Sequence, residues 1–222
     1  MRFFRPILAG ATWRDRAVAC LGALVGIGLT GVVSRALLGA DQAAGALMIA
    51  SMGASAVLLF AVPASPLAQP WPVIGGNVVS ALVGVAVVHV APDPMLGGAI
   101  SVALAIAIMS ALGCLHPPGG GTALIPLLAA SGAAAKGWLF PLAPVALNAV
   151  LLTAAAWAFH RLVSRHAYPH RAEPVPAGPA AVTDADIDAA LAELHEPLDV
   201  SRDDLRAVAV LAARHAAARR KS

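Results

Sequence analysis

Between Ala17 and His160 this chain has only four charged side chains, Arg35, Asp41, Asp93 and Lys136. The whole sequence has 15 Lys+Arg and 12 Asp+Glu, 27 in all, so the other 23 (27 − 4) lie at the two ends. A water-soluble domain spreads charge over its surface and is about a quarter charged. A body this poor in charge and 59% hydrophobic overall is instead solvated by lipid, with wet ends. The sequence pI near 9.4 comes from arginines at those ends. They serve as topology anchors and give no argument for nucleic-acid binding.

Four stretches follow from the charge pattern: a basic arm (1–16), a transmembrane body (17–165), a Pro-rich linker (166–182) and a helical tail (183–222). Trp13 is expected at the membrane interface. The body is expected to be all-α. Ala17–Leu38 reads as a first span of about 33 Å, with Gly22 and Gly26 on one face for close helix packing. Ala43–Val62 is a second apolar run, interrupted by small and hydroxylated residues at Ser51–Ser55. Val73–Val90, Met95–Cys114 and Trp138–Leu162 read as further spans, and Gly120–Ala130 as a short segment that cannot cross alone. Six membrane elements result, with four spans and some re-entrant runs as the alternative. Arginines flank both ends of the body, which predicts a multi-pass protein of the inner or plasma membrane with both termini cytoplasmic. Cys20 and Cys114 read as small buried hydrophobes. His160, His166 and His170 read as part of a wet basic stretch.

Backbone-special residues concentrate at Cys114–Leu127. Pro117 and Pro118 lack N–H donors and disfavour helix in the residue before each. One helix is therefore expected to end near Leu115 and another to begin around Gly120–Thr122, leaving unpaired N–H groups and a positive dipole end. The run His116-Pro117-Pro118-Gly119-Gly120-Gly121-Thr122-Ala123-Leu124 resembles the signature of the HPP family of integral membrane proteins. The likeness extends to Gly53–Phe60, Ser65–Pro70, Gly75–Asn77 and Ser80–Gly84, and covers residues 13 to about 165. It implies a multi-span membrane protein and, by the activity attributed to plant relatives, transport of nitrite. The tail resembles the lead-in to nucleotide-sensing CBS domains of longer relatives. No CBS pair is present in the sequence, so regulation by adenine nucleotides is not expected.

The two halves echo each other. Gly53–Leu58 matches Gly120–Ile125 at an offset of 67 (120 − 53), and Asn77 matches Asn148 at 71 (148 − 77). With three elements per half the second half enters from the opposite side, which predicts two inverted three-element repeats with interrupted helices. The body has no deep cation, so an anion would have to be held by helix N-termini, hydroxyls and amides. The candidate anion-binding residues are Gly53, Ala54, Ser55, Asn77, Gly119, Gly120, Gly121, Thr122 and Asn148. His116 is the candidate gating or proton-linked group, and Pro117 and Pro118 break the helix. No His/Cys spacing suits a metal. No cofactor or catalytic residue is expected, and the chain is not expected to be an enzyme.

The expected function is a transporter or channel for a small inorganic anion, nitrite foremost. The alternative is a membrane scaffold or sensor signalling through its cytoplasmic tail. In that tail Thr183 and Ser201 are expected to cap two helices, which either fold back on the cytoplasmic face or mediate a homo-oligomer.

Overall fold

The computed structural model describes residues 12–38, 44–91, 93–128, 137–164, 166–171, 182–194 and 198–219, with backbone alone for 44–50. Every regular element among these is helical. The membrane body comprises α1 (Trp13–Leu38), α2 (Ala44–Ala61), α3 (Pro70–Val88), α4 (Pro94–Ala111), α5 (Pro118–Leu128) and α6 (Leu147–Phe159). Wide π-helical turns, Pro141–Ala146 and His160–Ser164, flank α6. The tail adds α7 (Asp184–Leu194) and α8 (Arg202–Arg219).

Four helical stretches are long and apolar enough to cross a membrane: α1, α3, α4 and Gly137–Ser164 around α6. Away from the arginines at their ends, they expose large apolar side chains such as Leu24, Val32, Leu104 and Val150. That is the outer surface expected where lipid replaces water. Close helix contact comes from small residues. A Cβ on Gly26 would lie 2.5 Å from the Phe60 ring, so α1 and α2 meet backbone against side chain at that point. Gly22 meets Phe60 and Phe159 in the same way, as the Gly22/Gly26 spacing predicts. The resulting core joins Met52, Leu59, Phe60, Val73, Leu152 and Phe159.

Helix ends follow local chemistry. Gly113, at φ 63°, turns the chain out of α4 after Ala111, three residues before Cys114 and earlier than the prolines alone suggested. Pro118 occupies the first position of α5, where its missing N–H costs nothing. Asp93 caps α4 by accepting from Leu96 N at 2.7 Å. In the turn that leads into α6 the run is bent at Ala143 (φ −131°, ψ 96°), between Pro141 and Pro144.

Five expectations need correction. Cys20, read as a small buried hydrophobe, is exposed on α1. Residues Trp13–Arg16, assigned to the wet arm, already belong to α1. The run through Gly53, Ala54 and Ser55 is no helix start: α2 continues unbroken from Ala44 to Ala61, because small residues do not break a helix that is shielded from water. His160 is not in a wet stretch; it is 1% exposed. The chain just after the body is not a free linker, since Tyr168 is buried in the core around Phe60 and Phe159. Residues 172–181 of the linker, 129–136 after α5 and 1–11 of the arm lie outside the described residues.

Both capped tail helices are present. Thr183 Oγ1 accepts from Asp186 N while Asp186 Oδ2 accepts from Thr183 N at 2.8 Å. Ser201 does the same service for Asp204 N at 3.1 Å. The hydrogen bonds of Thr183 hold the Asp186 carboxyl below the usual range.

Candidate functional site

The corner between α4 and α5 drops His116 into the interior, where it is fully buried. Gly76 on α3 makes room: a Cβ there would lie 2.6 Å from His116 Cβ and 2.7 Å from the Cys114 carbonyl. The imidazole bridges two elements. Its Nδ1 is 2.9 Å from the carbonyl of Leu67, in the loop between α2 and α3. Its Nε2 is 2.8 Å from Ser55 Oγ on α2. Because a carbonyl only accepts, Nδ1 carries the hydrogen, and in a neutral ring Nε2 accepts from the Ser55 hydroxyl. A second proton, placed on Nε2, would reverse that bond. Ser55 would then accept from the ring and turn its own hydrogen to the Ser51 carbonyl, 3.1 Å away. Both charge states of His116 can thus be hydrogen-bonded without moving a helix.

One to two turns further along α5, Thr122 Oγ1 donates to Asn77 Oδ1 on α3 at 2.7 Å. Asn77 in turn donates through Nδ2 to the Val73 carbonyl at 2.8 Å. Between the two pairs Gly119 lies so close to α3 that an added Cβ would come within 2.6 Å of Ser80 Oγ. Ser55, Asn77, Ser80 and His116 are fully buried and Thr122 is 1% exposed. A polar seam therefore runs along the inner face of α5 against α2 and α3, inside otherwise apolar helices. Polar groups at such depth are costly unless paired, and here each is paired.

The remaining candidates fall elsewhere. Gly53 and Gly121 look onto open space, and Ala54 is exposed on the outer face of α2. Gly119 and Gly120 give their N–H groups to the carbonyls of His116 (2.8 Å) and Pro117 (3.0 Å), so the start of α5 is already capped. The helix N-termini expected to hold an anion at Gly53–Ser55 and Gly119–Thr122 are therefore not free: one is helix interior and the other is satisfied by its own corner. Asn148 is hydrogen-bonded to Ser34 on α1 and, through Nδ2, to the Pro144 carbonyl at 3.0 Å. It does not join the Asn77 pair.

Sequence reasoning missed the loop that carries Leu67 and what grips it. Residues Ser65–Gln69 include a single 3₁₀ turn, Pro66–Ala68. Tyr168 OH donates to the Ala68 carbonyl at 2.9 Å, and His170 N donates to Gln69 Oε1 at 2.8 Å. Ser65 Oγ is 2.8 Å and 2.9 Å from the two carboxylate oxygens of Asp199. His170 Nε2 reaches Asp204 at 3.0 Å. Burial raises the Asp204 carboxyl, but hydrogen bonds from Ser201 and His170 outweigh it and hold the group below its ordinary value. Burial pushes the Tyr168 hydroxyl far upward, so it stays a donor. His160 Nε2 donates to the Leu59 carbonyl at 2.8 Å, tying the end of α6 to α2. Its position at the close of an apolar helical run, four residues before Ser164, was the available signal. Nothing in the sequence pointed to Asp199. Among the described residues no cluster of His, Cys, Asp and Glu could hold a metal ion.

Comparisons with known proteins agree with this architecture. A transmembrane protein of Dictyostelium discoideum is 36% identical over 147 residues, 63% of this chain and 51% of that protein. A second from the same organism is 36% identical over 126 residues, 55% of this chain and 40% of its own length. The chain thus spans about half the length or less of these curated relatives. No solved structure matches it. The family description "HPP, transmembrane region" matches residues 9–169, which contain all six body helices and the His116 corner. The chain belongs to the HPP transmembrane family.

Proposed function

We propose that the protein moves a small inorganic anion across the membrane, nitrite being the first substrate to test, and that the α2–α3–α5 seam is where it passes. The observation that supports this is the seam itself: Ser55, Asn77, His116 and Thr122, buried together and hydrogen-bonded across α2, α3 and the α5 corner. In the described conformation the donors satisfy one another. Parting α5 from α2 and α3 would free the hydroxyls of Ser55 and Thr122 as donors and His116 Nε2 as a site for a proton, while the Asn77 N–H stays on the Val73 carbonyl of its own helix. Neutral donors hold a monovalent anion weakly enough to release it. A proton taken up on Nε2 would add charge only while the anion is present, which suits proton-linked passage.

The body topology is read as two inverted repeats of three elements, α1–α3 and α4–α6. Two spatial pairs support this at the offsets of the sequence repeat. Gly26 packs against Phe60, and Gly97 against Leu127; 97 − 26 is 71 and 127 − 60 is 67. Thr30 and Ser101, also 71 apart (101 − 30), are both buried hydroxyls without a hydrogen-bond partner. The start of α1 and the end of α6 pack together at one end of the bundle. With the flanking arginines this favours cytoplasmic termini in the inner or plasma membrane.

Purified protein in liposomes, given an inward nitrite gradient, should accelerate nitrite entry over protein-free vesicles. Ser55→Ala and Thr122→Val should each slow it. Entry no faster than in empty liposomes, across several anions and pH values, would reject transport. A second reading, a scaffold or sensor acting through its tail, is favoured by the grip of Asp199, Tyr168 and His170 on the Ser65–Gln69 loop.

A further inference from the structure

We propose that the cytoplasmic tail is a strap that holds the polar seam shut through the Ser65–Gln69 loop. The loop is bonded on both sides. Inward, its Leu67 carbonyl takes the Nδ1 hydrogen of His116. Outward, three residues around Leu67 are held by the chain that follows the body: Ser65 by Asp199, Ala68 by Tyr168 and Gln69 by His170. Asp199 and Tyr168 are far apart in sequence, and they close on the loop from two separate segments. The His170–Asp204 pair joins those segments to each other, so the strap closes on itself as well as on the loop.

The coupling is short. Leu67 is in register for His116 only while the 3₁₀ turn Pro66–Ala68 is kept, and Ser65 caps that turn by accepting from Leu67 N at 3.1 Å. Gln69 stiffens it from inside by donating to the carbonyls of Pro63 (3.0 Å) and Ser65 (2.8 Å). Releasing Asp199 frees the Ser65 hydroxyl, and releasing Tyr168 frees the carbonyl next to that of Leu67. The first consequence of undocking the tail is therefore a loose acceptor for His116, and with it a loose corner between α4 and α5. A soluble partner or ligand that captures the tail would open the seam by the same route.

This rests on the transport reading only for its flux arm; the coupling has its own readout. Cys114 lies two residues before His116 and is fully buried, whereas Cys20 is exposed. The test uses full-length protein carrying Cys20→Ala, with and without Asp199→Ala plus Tyr168→Phe, and follows the rate at which N-ethylmaleimide labels Cys114. Release of the tail is read independently as faster amide exchange at residues 166–171. Labelling should accelerate about fivefold or more, the factor one lost hydrogen bond makes in an opening equilibrium. Should the double variant fold poorly, Tyr168→Phe alone removes a single donor and should give a smaller increase in the same direction. Unchanged labelling in a variant whose tail has been released overturns the strap. Nitrite flux separates the two ideas. Faster labelling with no flux in either protein keeps the strap and rejects transport. Flux in the parent that release leaves unchanged, with labelling also unchanged, keeps transport and rejects the strap.

Discussion

At the level of single residues the body distinguishes polar groups that are paired from those that are not. Thr122 and Ser55 each complete a buried pair, so Thr122→Val and Ser55→Ala strand Asn77 Oδ1 and His116 Nε2. Each should cost about 1–3 kcal/mol, seen as a lower melting temperature in detergent. Thr30 offers the opposite case, because its buried hydroxyl meets no partner. Thr30→Val keeps the shape and should be neutral or raise the melting temperature in the same assay. Glycines divide in the same way. Gly76→Ala pushes a methyl group against His116 and the Cys114 backbone and should destabilise by about 1–3 kcal/mol, whereas Gly121→Ala enters open space and should leave the melt unchanged. The sequence picked out His116, Thr122, Asn77 and Ser55 as special because they are polar residues in apolar runs. It could not reveal that they pair two by two, since Ser55 and His116 stand 61 residues apart.

At the level of elements, spans were legible because lipid makes hydropathy and length nearly sufficient. The corner was legible too, since Pro117 and Pro118 leave the chain few options. Its boundaries moved by a few residues because Gly113 adopts a left-handed turn before the prolines are reached. The interruption at Gly53–Ser55 was misread. In water a run of small residues weakens a helix, but here α2 runs unbroken through Gly53–Ser55 and its backbone bonds stay intact. Gly26→Leu tests the packing of α1 on α2. The larger side chain would meet Phe60, force α1 from α2, and should lower the yield of monodisperse protein on size exclusion far more than Gly28→Leu, which faces open space.

For the whole molecule, the tail and body act as one unit through charge and hydrogen bonding. Asp204 has a carboxyl pKa held below its unfolded value near 3.9, despite the burial that would raise it. A depressed folded value means that its contribution to docking is complete above the unfolded pKa and disappears as pH falls through the folded one. Exchange protection of residues 202–219 should therefore be flat from pH 7 down to about pH 4 as far as Asp204 governs it, and fall only below that. Asp204→Asn should remove this low-pH transition.

The sequence by itself determined that the chain lives in lipid, that its body is helical, and that one proline–glycine corner interrupts it. Each of these follows from local composition: apolar length, absent charge and backbone chemistry that no partner can override. The tertiary structure alone decided which polar groups face each other. It seated His116 against Ser55 rather than a cavity, satisfied the start of α5 from its own corner, and brought Asp199 and Tyr168 onto the loop that holds His116. A buried hydrogen bond depends on distance in space, and helices packed by small residues can bring together side chains whose positions in the chain give no hint that they will meet.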